Sequence, residues 1–151
     1  MSVYNRFAGK EGLLAALAMR ALDELGVVIQ PPSDIEPIER FREACRRYRG
    51  YALGHPARYL LIFATGSPLQ DQSSPAATHG RAVFAVLVEL IRALDTSKPE
   101  ADLIEAAQAV WSALHGAVTI EIAGIGQTSD ASASFERMLD LLIVGLTARV
   151  G

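Results

Sequence analysis

The stretch of sequence that determines the fold reads Leu139-Asp140-Leu141-Leu142-Ile143-Val144-Gly145-Leu146, and Asp140 is its only charged residue. In a helix these residues would point in almost every direction, so a helix over 132–149 is apolar on most of its sides. A helix with one face in water needs an apolar stripe on the other face only. The segment 132–149 is therefore predicted to be a helix that is buried on more than one side.

The segment before it, 101–123, shows the same excess of apolar surface. Helical spacing predicts two neighbouring apolar stripes, which consist of Leu103, Ala107, Val110, Leu114 and Ala117, and of Ile104, Trp111, Val118 and Ile122. A chain of 151 residues has few ways to surround two such helices by itself. We therefore predict that 101–123 and 132–149 also pack on a second copy, as a four-helix interface across a two-fold axis. The expected assembly is a homodimer.

The rest of the chain also carries helical patterns. Four more helices are expected: one over 10–29, one that follows Ser33-Asp34 and ends at Gly54, one over 57–64 and one over 75–94. Ser33 and Asp34 are suited to cap the second of these helices. Its inward stripe is expected to consist of Ile38, Phe41, Cys45, Tyr48 and Ala52. Because no alternating pattern typical of strands competes, the predicted fold is all-α, with about six helices.

Composition limits the class of protein. The chain is 50% hydrophobic, which is typical of one packed domain. Its net charge of −3 argues against a protein that binds nucleic acid over its whole surface. The apolar region 103–125 carries Glu105 and Glu121, so it does not read as a membrane span, and the N-terminus lacks the apolar core of a signal peptide. A protein of the cytoplasm that does not enter the membrane is expected.

The residues that carry chemistry give little sign of an enzyme or a metal site. Cys45 is the only cysteine and lies on an inward stripe, where it would act as a small apolar side chain. The three histidines, His55, His79 and His115, fall on separate elements, so no local metal-ligand spacing exists. No Gly-x-Ser-x-Gly nucleophile elbow is present. We expect no catalytic residues, no metal and no cofactor.

The run Arg46-Arg47-Tyr48-Arg49 has two interpretations. These side chains are of the type that binds phosphate. They also lie among Glu36, Glu39 and Glu43 at spacings where opposite charges meet on a helix. The second interpretation, a solvated helix face with acidic neighbours, is favoured.

Two short motifs resemble a known family. The stretch Tyr4-Asn5-Arg6-Phe7-Ala8-Gly9-Lys10-Glu11 resembles the junction that ends the DNA-binding head of tetracycline-repressor-like (TetR) regulators. The stretch Trp111-Ser112-Ala113-Leu114-His115-Gly116 resembles the Trp…His-Gly signature in the ligand-binding half of one branch of that family. His55-Pro56-Ala57-Arg58-Tyr59 is similar to the sixth helix of the same branch.

The resemblance implies a division of the chain and a function. Residues 1–10 would be the remnant of the DNA-binding head, the end of its recognition helix and a turn, and 11–151 the ligand-binding and dimerisation domain. Tyr4 and Lys10 match positions that touch DNA phosphate in the family. Because most of the helix-turn-helix would precede these residues, specific DNA binding is expected only with that head present. The implied role is the core of a repressor that a small apolar ligand releases.

Aromatic residues from four predicted helices are candidates for a ligand cavity: Tyr51, Tyr59, Phe63, Phe84 and Trp111. Each alone is an ordinary core residue, whereas the resemblance favours a cavity for a small apolar or aromatic effector. His115 would either hydrogen-bond that ligand or pack between helices with a satisfied partner.

Two other functions compete with this one. One alternative is a headless helical module that forms heterodimers with full-length regulators through the same last two helices. The other alternative is a small helical enzyme. It would have only His115 and Glu121 as candidate catalytic residues, and it is the least favoured of the three functions.

Overall fold

The computed structural model describes the backbone of residues 3–149 and the side chains of 9–149. The helices are α1 (Val3–Val28), α2 (Pro37–Gly54), α3 (Pro56–Phe63), α4 (Pro75–Arg92), α5 (Glu100–Ala123) and α6 (Ala131–Thr147), and a 3-10 turn covers Pro68–Gln70. No strand occurs in the described backbone. The predicted all-α fold with about six helices is confirmed.

Proline sets the start of three helices. α2, α3 and α4 each have a proline in the first turn, where its missing N–H costs nothing. The expected caps of α2, Ser33 and Asp34, were wrong: the helix starts at Pro37, after Glu36, whose side chain makes no capping hydrogen bond. Pro37 holds Glu36 in an extended conformation, so the helix cannot begin earlier.

α1 is longer than the sequence suggested. It begins at Val3 and runs without a break through Ala8 and Gly9, where a turn was expected between two helices. Good helix formers flank Gly9, so one glycine does not interrupt the backbone. The side chain of Tyr4 lies outside the described residues, while Lys10 is exposed on α1.

The core is centred on a line of buried side chains on α5, against which α2, α4 and α6 pack. This line consists of Leu103, Ala107, Val110, Leu114 and Val118. The predicted stripe was therefore right except at its end, where Val118 is buried and Ala117 only partly so. Ile38, expected to face inward, is 42% exposed because the first turn of α2 projects beyond the core.

α6 is apolar on both sides, as its sequence indicated. Phe135, Leu139, Ile143 and Leu146 face the core. Leu141 and Val144, three residues apart on the opposite side, are each 68% exposed. Nothing in the described part of the chain covers that outer side.

The arginine run of α2 joins the helices. Arg46 binds Glu136 of α6 at 2.7 Å, and Arg49 binds Glu121 of α5 at 2.6 Å. Arg47 pairs within α2 with Glu43. The acidic neighbours are present, but two of the three lie on α5 and α6 rather than on α2, so the run fixes helix positions. None of the described helices has the length and apolar run needed to cross a membrane.

Candidate ligand-binding site

A cavity of about 270 Å³ lies between α1, α2, α3, α4 and α5, close to the lower end of the size range of small-molecule sites. Its wall is mostly apolar. It includes Leu22, Ile29, Ala44, Cys45, Tyr48, Phe63, Leu69, Ala77, Val83, Phe84, Leu87, Leu90, Trp111 and Leu114. Because residues of five helices and of the 3-10 turn form this wall, the cavity exists only in the packed bundle.

Three of the predicted ligand residues line this cavity. Phe63 comes from α3, Phe84 from α4 and Trp111 from α5. The rings of Phe63 and Trp111 lie 5.6 Å apart at a tilted angle, a favourable arrangement for aromatic rings. These three side chains provide the aromatic part of the wall.

The other three predicted residues lie elsewhere. Tyr59 is fully buried directly behind Phe63, with ring centroids 4.9 Å apart, and His115 stacks on Tyr59. Tyr51 points towards α1, where its hydroxyl lies 3.1 Å from the carboxylate of Glu24. The structure therefore groups Tyr59 and His115 behind the wall and separates Tyr51 from the cavity.

Tyr48 lines the cavity, although sequence reasoning did not choose it. Helical spacing places it on the inward stripe of α2, between two arginines whose side chains face outward. Tyr48 lies three residues after Cys45, which also lines the cavity, so the two side chains share one face of α2. Leu22, which brings α1 into the wall, and Ile29, which directly follows α1, were also missed.

A chain of three hydrogen-bonding groups leads from the cavity into the core. The hydroxyl oxygens of Tyr48 and Tyr59 lie 2.6 Å apart, and that of Tyr59 lies 2.7 Å from Nδ1 of His115. When His115 carries its proton on Nε2, Tyr59 donates to Nδ1, Tyr48 donates to Tyr59, and the Tyr48 oxygen is left to accept a hydrogen bond. The opposite tautomer leaves the Tyr48 hydroxyl free to donate.

Burial keeps these groups neutral. It raises the pKa of Tyr48 to about 12 and raises that of Tyr59 further. It lowers the pKa of His115 below the ordinary 6.5. Burial likewise raises the pKa of the Cys45 thiol to about 12, so the thiol stays protonated at neutral pH. The deep part of the cavity thus offers neutral polar groups in an apolar wall.

The mouth of the cavity is more polar. Gln72, Arg81 and Gln108 line it and are exposed. The Arg81 guanidinium donates to the carbonyl oxygen of Gln72 at 3.1 Å and to the hydroxyl of Thr78 at 3.0 Å. The hydrogen bond to Gln72 attaches the segment 65–74 to α4, whereas Thr78 lies on α4 itself.

Leu69 packs over Gly80 on the same side of the cavity. A Cβ atom added to Gly80 would lie 3.0 Å from Cδ2 of Leu69. Glycine at this position therefore lets the 65–74 segment lie close against α4.

Comparison with known proteins identifies the family. Residues 41–142 match the family model described as tetracyclin repressor-like, C-terminal domain. The chain belongs to the TetR family. The matched residues include most of the cavity wall on α2, α3, α4 and α5, and Leu22 of α1 and Ile29 precede them.

Two proteins are similar to this TetR domain over most of its length. The chain is 31% identical over 98% of its length to an uncharacterized HTH-type transcriptional regulator of Mycobacterium tuberculosis, Rv0681, and it spans 66% of that protein, just under two thirds. It is also similar to the crystal structure of a protein described as regulatory, SCO4313, with a TM-score of 0.71 and 26% identity over 92% of this chain and 76% of the other.

Proposed function

We propose that these 151 residues form the effector-binding and dimerisation core of a TetR-type transcriptional repressor. The observation that carries this proposal is the cavity that the five helices α1 to α5 enclose, with Phe63, Phe84 and Trp111 in its wall. Such a wall suits a small apolar or aromatic effector, since aromatic faces and aliphatic side chains bury apolar surface without demanding a fixed polar pattern.

The cavity reaches the helix that leads towards the DNA-binding head in this family. Leu22 of α1 and Ile29, which directly follows that helix, line the cavity, and α1 continues from Leu22 back to Lys10 and beyond it to Val3. An effector that fits one arrangement of α1 better than another shifts the population of the two arrangements. In the repressor this shift would change the spacing of the two heads and release the operator.

The two ends of the chain have different roles in this proposal. Residues 11–151 hold the effector and the dimer contact, whereas 1–10 belong to the head, with Tyr4 and Lys10 near DNA phosphates. Phosphate contacts position a protein but do not read sequence. Residues 1–151 alone are therefore not expected to recognise an operator sequence. The repressor would act in the cytoplasm, with its full DNA-binding head.

The outer sides of α5 and α6 provide the dimer contact. Leu141 and Val144 on α6 and Ile120 on α5 are exposed apolar side chains, and burying them against the same surface of a second copy removes them from water. A two-fold axis would then bring four helices together.

Native mass spectrometry of the purified protein tests the dimer and the cavity together. A mass of about twice 16.2 kDa with a bound small molecule is expected. Val83→Phe, which fills the cavity from α4, should abolish the bound mass, whereas Val86→Phe on the same helix, outside the cavity, should retain it. A monomer would contradict the dimer contact, and equal binding by both variants would contradict the cavity.

A further inference from the structure

Arg81 is a cation at the mouth of an apolar cavity. It contacts a carbonyl and a hydroxyl, and it forms no ion pair with any residue that the structure describes. The only acidic residue of α4 is Glu89, which pairs with Arg92. The positive charge of Arg81 is therefore not neutralised by its own helix.

Three arginines of α2 differ from Arg81 in this respect. Arg42, Arg46 and Arg49 each bind a carboxylate on α5 or α6 at 2.7 Å or less. A guanidinium has five N–H donors, and Arg81 uses only two in the hydrogen bonds to Gln72 and Thr78. Further donors remain available at the cavity mouth.

We propose that the effector is amphipathic, with an apolar body and a carboxylate that binds Arg81. This inference rests on the proposed function of the cavity. The body lies among Phe63, Phe84 and Trp111, and the carboxylate accepts charge-assisted hydrogen bonds from the guanidinium.

The position of Arg81 gives the bound carboxylate a second effect. Because Arg81 already donates to the carbonyl of Gln72, the same side chain would hold the ligand, α4 and the 65–74 segment together. The segment carries Leu69, which lines the cavity. Binding would therefore fix this side of the cavity as well as fill it.

Two probes that differ only in their polar end test the inference. 4-Phenylbutyrate and 4-phenylbutan-1-ol share an apolar body, and their binding is measured by the fluorescence of Trp111, the only tryptophan of the chain. The carboxylate is expected to bind about tenfold more tightly, since charge-assisted hydrogen bonds exceed neutral ones. Arg81→Gln should remove this preference and leave the affinity for the alcohol unchanged.

Arg92→Gln is the matched control, because it makes the same charge change on the same helix outside the cavity. It should keep the tenfold preference. If the wild-type protein binds both probes equally, or if Arg81→Gln keeps the preference, the carboxylate inference is wrong while the cavity stands. If neither probe changes the fluorescence up to millimolar concentration, both the inference and the proposed cavity function are overturned.

Discussion

Replacing Tyr59 with phenylalanine removes one oxygen atom from the centre of the bundle. That hydroxyl joins Tyr48 at 2.6 Å to Nδ1 of His115 at 2.7 Å, and Tyr59 itself is fully buried. The phenylalanine ring keeps the contacts of the tyrosine ring, including the one with Phe63. The variant therefore tests the hydrogen bonds without opening a large cavity.

The expected loss of stability follows from the two hydrogen bonds. Each contributes about 1 kcal/mol net, and leaving a buried partner unpaired adds to the cost. His115 is half-buried and Tyr48 opens to the cavity, so water partly compensates for both. We expect Tyr59→Phe to lower the free energy of unfolding by about 2 kcal/mol, which corresponds to a fall in Tm of about 4–8 °C for a domain of this size.

Urea unfolding followed by circular dichroism, at one fixed protein concentration, measures this loss. Tyr51→Phe is the matched control, because the Tyr51 hydroxyl has only longer contacts, at 3.1 and 3.3 Å, towards α1. It should cost about 1 kcal/mol or less. A loss for Tyr59→Phe no larger than that of the control would refute the reasoning, because the buried hydrogen-bond chain would then contribute nothing of its own.

Three other predictions rest on single features. Burial lowers the pKa of His115 below 6.5, so between the two pKa values the unfolded chain takes up a proton that the folded chain does not. The free energy of unfolding should therefore fall as the pH drops below 6.5, by at most about 1.4 kcal/mol per pH unit. His115→Asn should flatten this slope in urea titrations. Glutamate at Leu141 or Val144 should raise the dimer dissociation constant at least about a hundredfold in analytical ultracentrifugation, because it buries an unpaired charge. The buried thiol of Cys45 should react with a disulfide reagent at least about a hundredfold more slowly in the native protein than in urea.

Each of these predictions has a result that contradicts it. An unchanged pH slope in His115→Asn would mean that this histidine titrates alike in both states. Ile38→Glu, which changes an exposed apolar residue on α2, is the control for the dimer and should leave it intact. Dimers that persist with glutamate at Leu141 would place the contact elsewhere. Rapid native labelling of Cys45 would show that the wall opens often.

Much of the fold follows from the sequence because helical order is local. The spacing of Leu103, Ala107, Val110 and Leu114 defines one face of α5 whatever lies beside it. Pro37 fixes the start of α2 in the same way, although the preceding Ser33 and Asp34 suggested an earlier one. The apolar surface on both sides of α6 was also visible in the order of its residues alone.

The residues that line the cavity could be predicted only in part from the sequence. Phe63, Phe84 and Trp111 could be predicted because large aromatic residues on inward faces must meet somewhere in a small core. Tyr51 and Tyr48 are both buried on α2, and nothing in their spacing tells which one faces α1 and which one faces the cavity.

That choice depends on how α2 is rotated against its neighbours. Arg46 and Arg49 contribute to the rotation by binding Glu136 and Glu121, acidic partners 90 and 72 residues away in the chain. Helical periodicity is set by residues three and four apart, whereas these ion pairs and the cavity between five helices require distant segments to meet. The sequence by itself therefore determined most of the residues that face inward, and the tertiary structure decided which of them line the cavity.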